Sequence, residues 1–403
     1  MIEIVAAAKE LGAYVIVADR DPKSPSKKFA DLAVDISTDD VDGLEVLCKR
    51  EGVCGIFTGF EDFNIHIACE LCRRLDLPFY ATREQLENIT NKIRFKDCCR
   101  RHGVPVIEQY TLQDAIKMSK YPYIIKPADS YGSRGITICR NEDNLKIGYE
   151  KARSVSPSGT AIIERFIDHD HGVELFYTVV NGMIHLTVTA DRHTVRNGET
   201  TVPLPVAEVF PSRHSAEVRE KLDGAIREML RSMKIQNGLV LIQALYDGNG
   251  DYFVYEMAYR FTGEQHYRLV EYQHGIKLSC MMIKAAFGED ISDYDTTFLD
   301  EACFDKPSIN LAIVLNPGKV KHISGLDKVY QIDEVISYNL THADGDVIAA
   351  SGDYSHMLIR INMVAESYQK LCRAVEFVNE YVSVISEDGE DMLAVRFHLP
   401  EEK

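Results

Sequence analysis

A polar pair interrupts two otherwise apolar runs past the middle of the sequence. Gly238–Asp247 and Asp251–Met257 flank Asn249-Gly250, a dipeptide suited to a tight hairpin turn. With those two residues as the turn, Gln243 faces Glu256 directly on one face of the sheet. Burying such a pair is unfavourable unless it binds something, and its oxygen atoms suit a hard cation. A mutual Gln–Glu hydrogen bond is the plain structural alternative. Arg260 follows shortly after, and a carboxylate plus a guanidinium is a combination for a metal–phosphate group.

A second stretch suits anions. Tyr121–Ile138 opens with a β-rich run ending at Lys126-Pro127, passes through Ser130, Gly132, Ser133 and Gly135, and closes on a second β-rich run, Ile136 to Cys139. Backbone N–H groups and hydroxyls of such a loop can lie against a phosphate chain, and the lysine can reach the same phosphates. No Gly-Lys-Ser/Thr ends the loop and no helix pattern opens there, so it is not a Walker A loop. An ordinary hairpin with a flexible tip is the alternative.

The elements that must hold these residues are legible in part. Residues 1–92 alternate helix and strand. Helical spacing runs from Ile4 to Leu11, and strands are expected at Tyr14–Ala18, Ala33–Ile36, Cys54–Thr58 and Leu77–Tyr80. Helices Val41–Arg50 and Ile65–Leu75 lie between them, so a parallel sheet covered on both faces is expected. Asp19, Glu61 and Asp62 lie beyond strand ends, where such sheets bind ligands; helix capping is the alternative. Such domains normally open with a strand and a tight glycine turn, whereas this chain opens on the helix that would follow them, so that edge of the site is expected to be weakened. A helical connector follows over 93–118, then the hairpin, a helix near Asn144–Arg153 and a strand through Glu164, Phe166 and Ile167. A second Asn-Gly turn, Asn181-Gly182, predicts Gly172 opposite Asp191, with Glu174 close to Asp191. Residues 215–233 read as one amphipathic helix, and 301–403 as a separate unit without dense chemistry.

Composition narrows the function classes. The 403 residues are 45% hydrophobic and carry a net charge of −17, which argues against nucleic acid or an anionic membrane as partner. No run approaches about 18 apolar residues. The N-terminus lacks a basic segment and carries early acidic residues, unlike a signal peptide. The ten cysteines, Cys69-x-x-Cys72 included, fit free thiols in a reducing cytoplasm.

In order and spacing, the parts resemble the ATP-grasp carboxylate–amine ligases, closest to the L-amino-acid-ligase and carbamoyl-phosphate-synthase-like branch. The carriers are Ile125-Lys126-Pro127 with Ser130 to Gly135, Glu164-Arg-Phe-Ile167 with Glu174, and Glu256 with Arg260. The resemblance covers most of the chain. It implies an α/β and α+β fold: an N-terminal parallel α/β (pre-ATP-grasp) domain over 1–92, a two-subdomain ATP-grasp domain over 93–300, and a C-terminal α+β domain over 301–403. Within the ATP-grasp domain the lid subdomain is placed near 120–166 and the second subdomain near 167–300.

The resemblance further implies that Lys92 and Lys126 hold the ATP phosphates under the loop carrying Ser130, Ser133 and Gly135. Glu164 with the backbone of Phe166 and Ile167 would line the adenine site, and Glu174 would accept the ribose hydroxyls. Glu256, with Gln243, would bind Mg2+ (or Mn2+ in its place), and Arg260 would hold the transferred phosphate. Arg192 is a candidate clamp for the substrate carboxylate, a surface ion pair being the alternative. His193, Glu264, His266 and Tyr267 are candidates to meet the amine. The family usually has an acid where Gln243 stands and often an Asn where Ala258 stands. A neutral Gln still offers a carbonyl oxygen, with weaker metal affinity expected.

The implied reaction is amide or peptide bond formation through an acyl-phosphate, with release of ADP and phosphate. Small carboxylates and amines, amino acids foremost, are the expected partners, and a homodimer is compatible. Two alternatives stay open: an ATP-binding protein of the same fold without ligase activity, and a bicarbonate-using carboxylase of the biotin-carboxylase branch.

Overall fold

A computed structural model describes residues 1–401 apart from 131–134, 168–170, 196–203, 295, 297–299, 301–303 and 350–353. The chain opens on α1 (Ile2–Glu10), followed by β1 (Ile16–Ala18), β2 (Leu32–Val34), α2 (Val41–Glu51) and α3 (Asp62–Leu75). β1 and β2 pair in parallel. The runs expected to be the third and fourth strands, Cys54–Thr58 and Leu77–Tyr80, are irregular, and among the described residues neither is part of a sheet. Both dock on the main body instead. Phe57 meets the Phe261 ring edge-on at 5.8 Å, and Phe60 N–H donates to Phe261 O at 3.1 Å. Tyr80 and Tyr259 exchange hydroxyl-to-carbonyl bonds of 3.2 and 3.0 Å. An apolar β-branched run extends readily, but it counts as a strand only where a neighbour completes its ladder.

α4 (Arg83–Thr90) starts with a capping box between Thr82 and Gln85, and α5 (Lys92–Arg101) is capped by Asn91, which accepts from the backbone of Ile93 and Arg94. Then come β3 (Gln109–Tyr110), α6 (Leu112–Met118), β4 (Tyr123–Pro127), β5 (Thr137–Cys139), α7 (Glu142–Val155) and β6 (Ala161–Arg165). β3, β6, β4 and β5 form a four-stranded sheet in that order. Gly135 takes φ +75°, and a Cβ there would lie 2.9 Å from Pro127, so this position beside the end of β4 requires glycine.

Next come β7 (His171–Val180), β8 (Met183–Val195), β9 (Leu204–Phe210), α8 (Ser215–Val218), α9 (Gly224–Ser232), β10 (Gly238–Tyr246), β11 (Tyr252–Tyr259), α10 (His266–His274) and α11 (Leu278–Ala286). The expected helix over 215–233 is continuous, α8 and α9 being joined through a π-helical segment, Arg219–Asp223, with right-handed helical backbone at both junctions. The chain ends with β12 (Ser308–Val314), β13 (Gly318–Ser324), α12 (Leu326–Val329), β14 (Val335–Leu340), β15 (Val347–Ile348), β16 (Met357–Val364), α13 (Tyr368–Tyr381) and β17 (Ser383–Ser386). One antiparallel sheet of eight strands dominates, in the order β11-β10-β7-β8-β9-β12-β16-β14. α4, α5 and α9 pack on one face of its β7–β10–β11 part; α1, α10 and α11 pack on the other.

Bulges reset two registers. At the β7–β8 turn Asn181 and Gly182 take φ +49° and +77°, as the sequence predicts, but a bulge between Phe176 and Tyr177 shifts the rest of the ladder. Gly172 therefore faces Arg192, not Asp191, and Asp191 turns to the opposite face from Glu174. The β10–β11 turn is wider than two residues, closed by Asp247 N–H to Asp251 O at 3.1 Å. A bulge between Gln243 and Ala244 compensates, so Gln243 still faces Glu256. Among the described residues no helix is long and apolar enough to cross a membrane.

Candidate functional site

Strand alternation and register lay a polar row across the large sheet. Glu256, Gln243 and Glu174 are direct partners on β11, β10 and β7. Arg192, Glu208, Asn310, Asn362 and Ser337 are direct partners on β8, β9, β12, β16 and β14. Arg192 Nε joins the two halves, 3.3 Å from Glu174 Oε1. Gly172 has no side chain because a Cβ would sit 2.9 Å from Ala244 O.

Most of the row is buried and internally bonded, as buried polar groups must be. Gln243 Nε2 donates to Glu174 Oε1 at 2.6 Å, and Tyr255 OH donates to Gln243 Oε1 at 3.0 Å. Arg360 donates to Asn310 Oδ1 at 2.6 Å and lies 3.8 Å from Glu208 and 3.6 Å from Glu264. His266 pairs with Glu208 and takes Thr262 Oγ1 on its other nitrogen at 2.8 Å. Burial disfavours its imidazolium, but the Glu208, Glu174 and Glu264 charges win and raise its pKa. Glu264, burial notwithstanding, is held down to about 2 by Arg360 and His266.

Glu256 is the exception: its side chain is exposed, and among the described residues no hydrogen bond or ion pair of its carboxylate is formed. A cation site needs an oxygen ligand that is not already neutralised, and Glu256 meets that condition. Gln243 adds a carbonyl oxygen that already accepts one hydrogen bond, so the donor set fits Mg2+ with one anionic ligand.

Lys92 and Lys126 stand on α5 and β4. Asn91 starts α5 so that Lys92 N–H donates to Ala128 O at 3.0 Å and Lys92 Nζ to Ser130 O at 2.8 Å. This staples α5 to the end of β4, where Lys126 stands. Lys126 Nζ lies 2.8 Å from Glu164 Oε2, and Glu164 also pairs with Lys96 of α5. Burial, then the Lys92 charge, pushes the Lys126 ammonium down to about 7, with Glu256 opposing. Burial likewise lowers Lys92, and Glu256 again opposes. Phe166 N–H bonds Pro122 O at 3.1 Å, and Ile167 follows it half-buried. Ser133 lies outside the described residues.

Arg260 is held bidentately by Asp62, the first residue of α3, at 2.6 and 3.1 Å. Burial works against its charge, and the Asp62, Glu264 and Glu256 charges more than restore it. Glu256 therefore acts electrostatically on Lys92, Lys126 and Arg260 alike. His193 and Tyr267 are directed elsewhere. His193 lies on the opposite face, against Phe397 at 5.0 Å, and Tyr267 OH donates to Glu3 at 2.9 Å. Lys96, Glu208 and Arg360 escape sequence reasoning. Their one signal is a charge inside an apolar pattern, as in Val206-Ala-Glu208-Val-Phe.

Glu174 makes the row pH-sensitive. Burial first and Glu208 second raise its carboxyl to about 8, against His266 and Arg192. A carboxyl raised on folding stabilises the fold below its unfolded value and loses that contribution as pH rises through its folded value. The melting temperature is expected to drop between about pH 5 and about pH 8 more steeply in the unaltered chain than in Glu174→Gln. Equal slopes in a thermal-shift series would remove Glu174 as the titrating group.

Three comparisons bear on this geometry. Residues 83–294 match the family described as carbamoyl-phosphate synthase L chain, ATP binding domain. The uncharacterized protein y4rH of Sinorhizobium fredii is 23% identical over 95% of this chain and 81% of its own length. Of two further curated relatives the chain spans only 41% and 58% of their length. Among solved structures, the L-amino acid ligase of Bacillus licheniformis superposes with TM-score 0.78 at 19% identity, covering 96% of each chain. The biotin carboxylase domain of Hydrogenobacter thermophilus 2-oxoglutarate carboxylase, solved with MgADP and bicarbonate, gives 0.75 at 20%, covering 95% of this chain and 88% of that one.

Proposed function

Because the chain belongs to the ATP-grasp carboxylate–amine ligase family, we propose that it joins an amino acid to a second amino acid or related amine through an acyl-phosphate made from ATP. The observation that carries this reading is the charge composition of the buried row. Glu174, Glu208 and Glu264 stand among Arg192, Arg360 and His266. That mixture offers carboxylates to an ammonium and guanidinia to a carboxylate, which suits zwitterions. Bicarbonate, a single small anion, would need only the cationic half.

A carboxylate becomes an electrophile only when its oxygen is turned into a leaving group, and ATP supplies the phosphate. The protein's share is positioning and charge neutralisation. Lys92 and Lys126 would hold the phosphates at the end of β4. Glu256 and Gln243 would hold Mg2+, which when bound neutralises phosphate charge. Arg260, fixed by Asp62, would face the transferred phosphoryl group. Arg192 and Arg360 would orient the acid.

The test incubates the purified full chain with Mg-ATP and pooled amino acids, reads ADP release and searches for a new amide by mass spectrometry. A parallel arm offers labelled bicarbonate. Amide formation with ADP release is expected. Label incorporation without amide would replace the reading with carboxylation, and nucleotide binding without stimulated ADP release would reduce it to an ATP-binding protein.

A further inference from the structure

The lysine group has more members than phosphate binding requires. Glu164 and Lys96 are both fully buried, and Lys126 nearly so. One carboxylate thus serves two ammonium groups, Lys126 through Oε2 and Lys96 through Oε1, with Gln109 Nε2 at 3.5 Å from Oε1. Lys96 sits one turn after Lys92 on the α5 face that also buries Phe95 and Cys99. An amine there is unfavourable by itself, and burial and the Lys126 charge both depress its protonation. Its ion-pair partner in the structure is Glu164.

Resting on the ATP-binding reading, we propose that Lys96 is a positioning residue that acts as the standing counter-ion of Glu164, so that Lys126 can leave that carboxylate for a nucleotide phosphate. With Lys96 present, the transfer of Lys126 leaves Glu164 paired. Without it, the same transfer strands a buried carboxylate, and removing one partner of a buried pair is strongly unfavourable. Glu164 would then retain Lys126 and compete with the phosphate for it.

The experiment is a double-mutant cycle on the full chain, measuring ATP affinity by calorimetry and steady-state KM and kcat. Lys96→Met is expected to weaken ATP binding about a hundred-fold, raising KM with little change in kcat. Neutralising the carboxylate should cancel this, so Glu164→Gln and Lys96→Met/Glu164→Gln should bind ATP within about three-fold of each other. A merely structural lysine would cost the same in both backgrounds, and that additivity would overturn the proposal, as would unchanged affinity in Lys96→Met. Should Lys96→Met fail to fold, the two Glu164→Gln backgrounds still decide: a further hundred-fold loss on removing Lys96 there contradicts the counter-ion role. Failure of the unaltered chain to bind ATP would instead defeat the functional reading itself.

Discussion

Replacing Lys126 with alanine is expected to lower kcat/KM by about 10²–10³-fold and to weaken ATP binding, with a melting temperature within a few degrees of the unaltered chain. The loss follows from position. Lys126 is held near the end of β4 by Glu164, where burial makes its charge act through a low dielectric. The fold should survive because Glu164 keeps Lys96 as a partner. ADP release and nucleotide titration check both halves. Full activity in the variant would remove Lys126 from the phosphate site, and a collapse in melting temperature would assign it to structure.

Glu256→Gln is expected to have an effect of similar size by a different route. Glu256 faces a neutral glutamine, so it supplies the anionic charge of that pair. Removing the charge leaves two amides for a divalent ion. Turnover should fall about 10²–10³-fold, and the Mg2+ concentration for half-maximal rate should rise. The exposed side chain makes a folding defect an unsuitable explanation. A magnesium titration that superposes on that of the unaltered chain would show that Glu256 is not a ligand.

How far the sequence disclosed this site depended on how local each signal was. Lys92, Lys126 and the Ser130–Gly135 loop lie within two short segments, and the Asn-Gly hairpin carried Gln243 to Glu256 even though the turn is wider than expected. Asp191 and Arg192 were exchanged because nothing in Leu186-Thr-Val188 marks a bulge, and one inserted residue there, Thr187, reverses every later side chain. Glu208, Asn310 and Arg360 belong to strands far apart in sequence, so their meeting depends on registers that no short motif encodes. Lys96 was hidden inside the apolar pattern of a helix whose buried face it shares. The strands expected at 54–58 and 77–80 are not formed, because pairing is a property of neighbours, and propensity does not supply them.

The continuous eight-stranded sheet also constrains how such a chain can change over generations. Arg360, Asn310 and Asn362 come from strands after residue 307, yet they stand in the same row as Glu256 and Glu174. A single-residue insertion or deletion within β12 or β16 would turn their polar side chains to the other face and apolar ones into the row. Two-residue changes would preserve facing and only slide the groups along the strand. If this row meets the substrate as proposed, its preference would drift through paired-length changes and point substitutions in the C-terminal strands, while odd-length changes would be eliminated as folding defects before any new specificity could be selected.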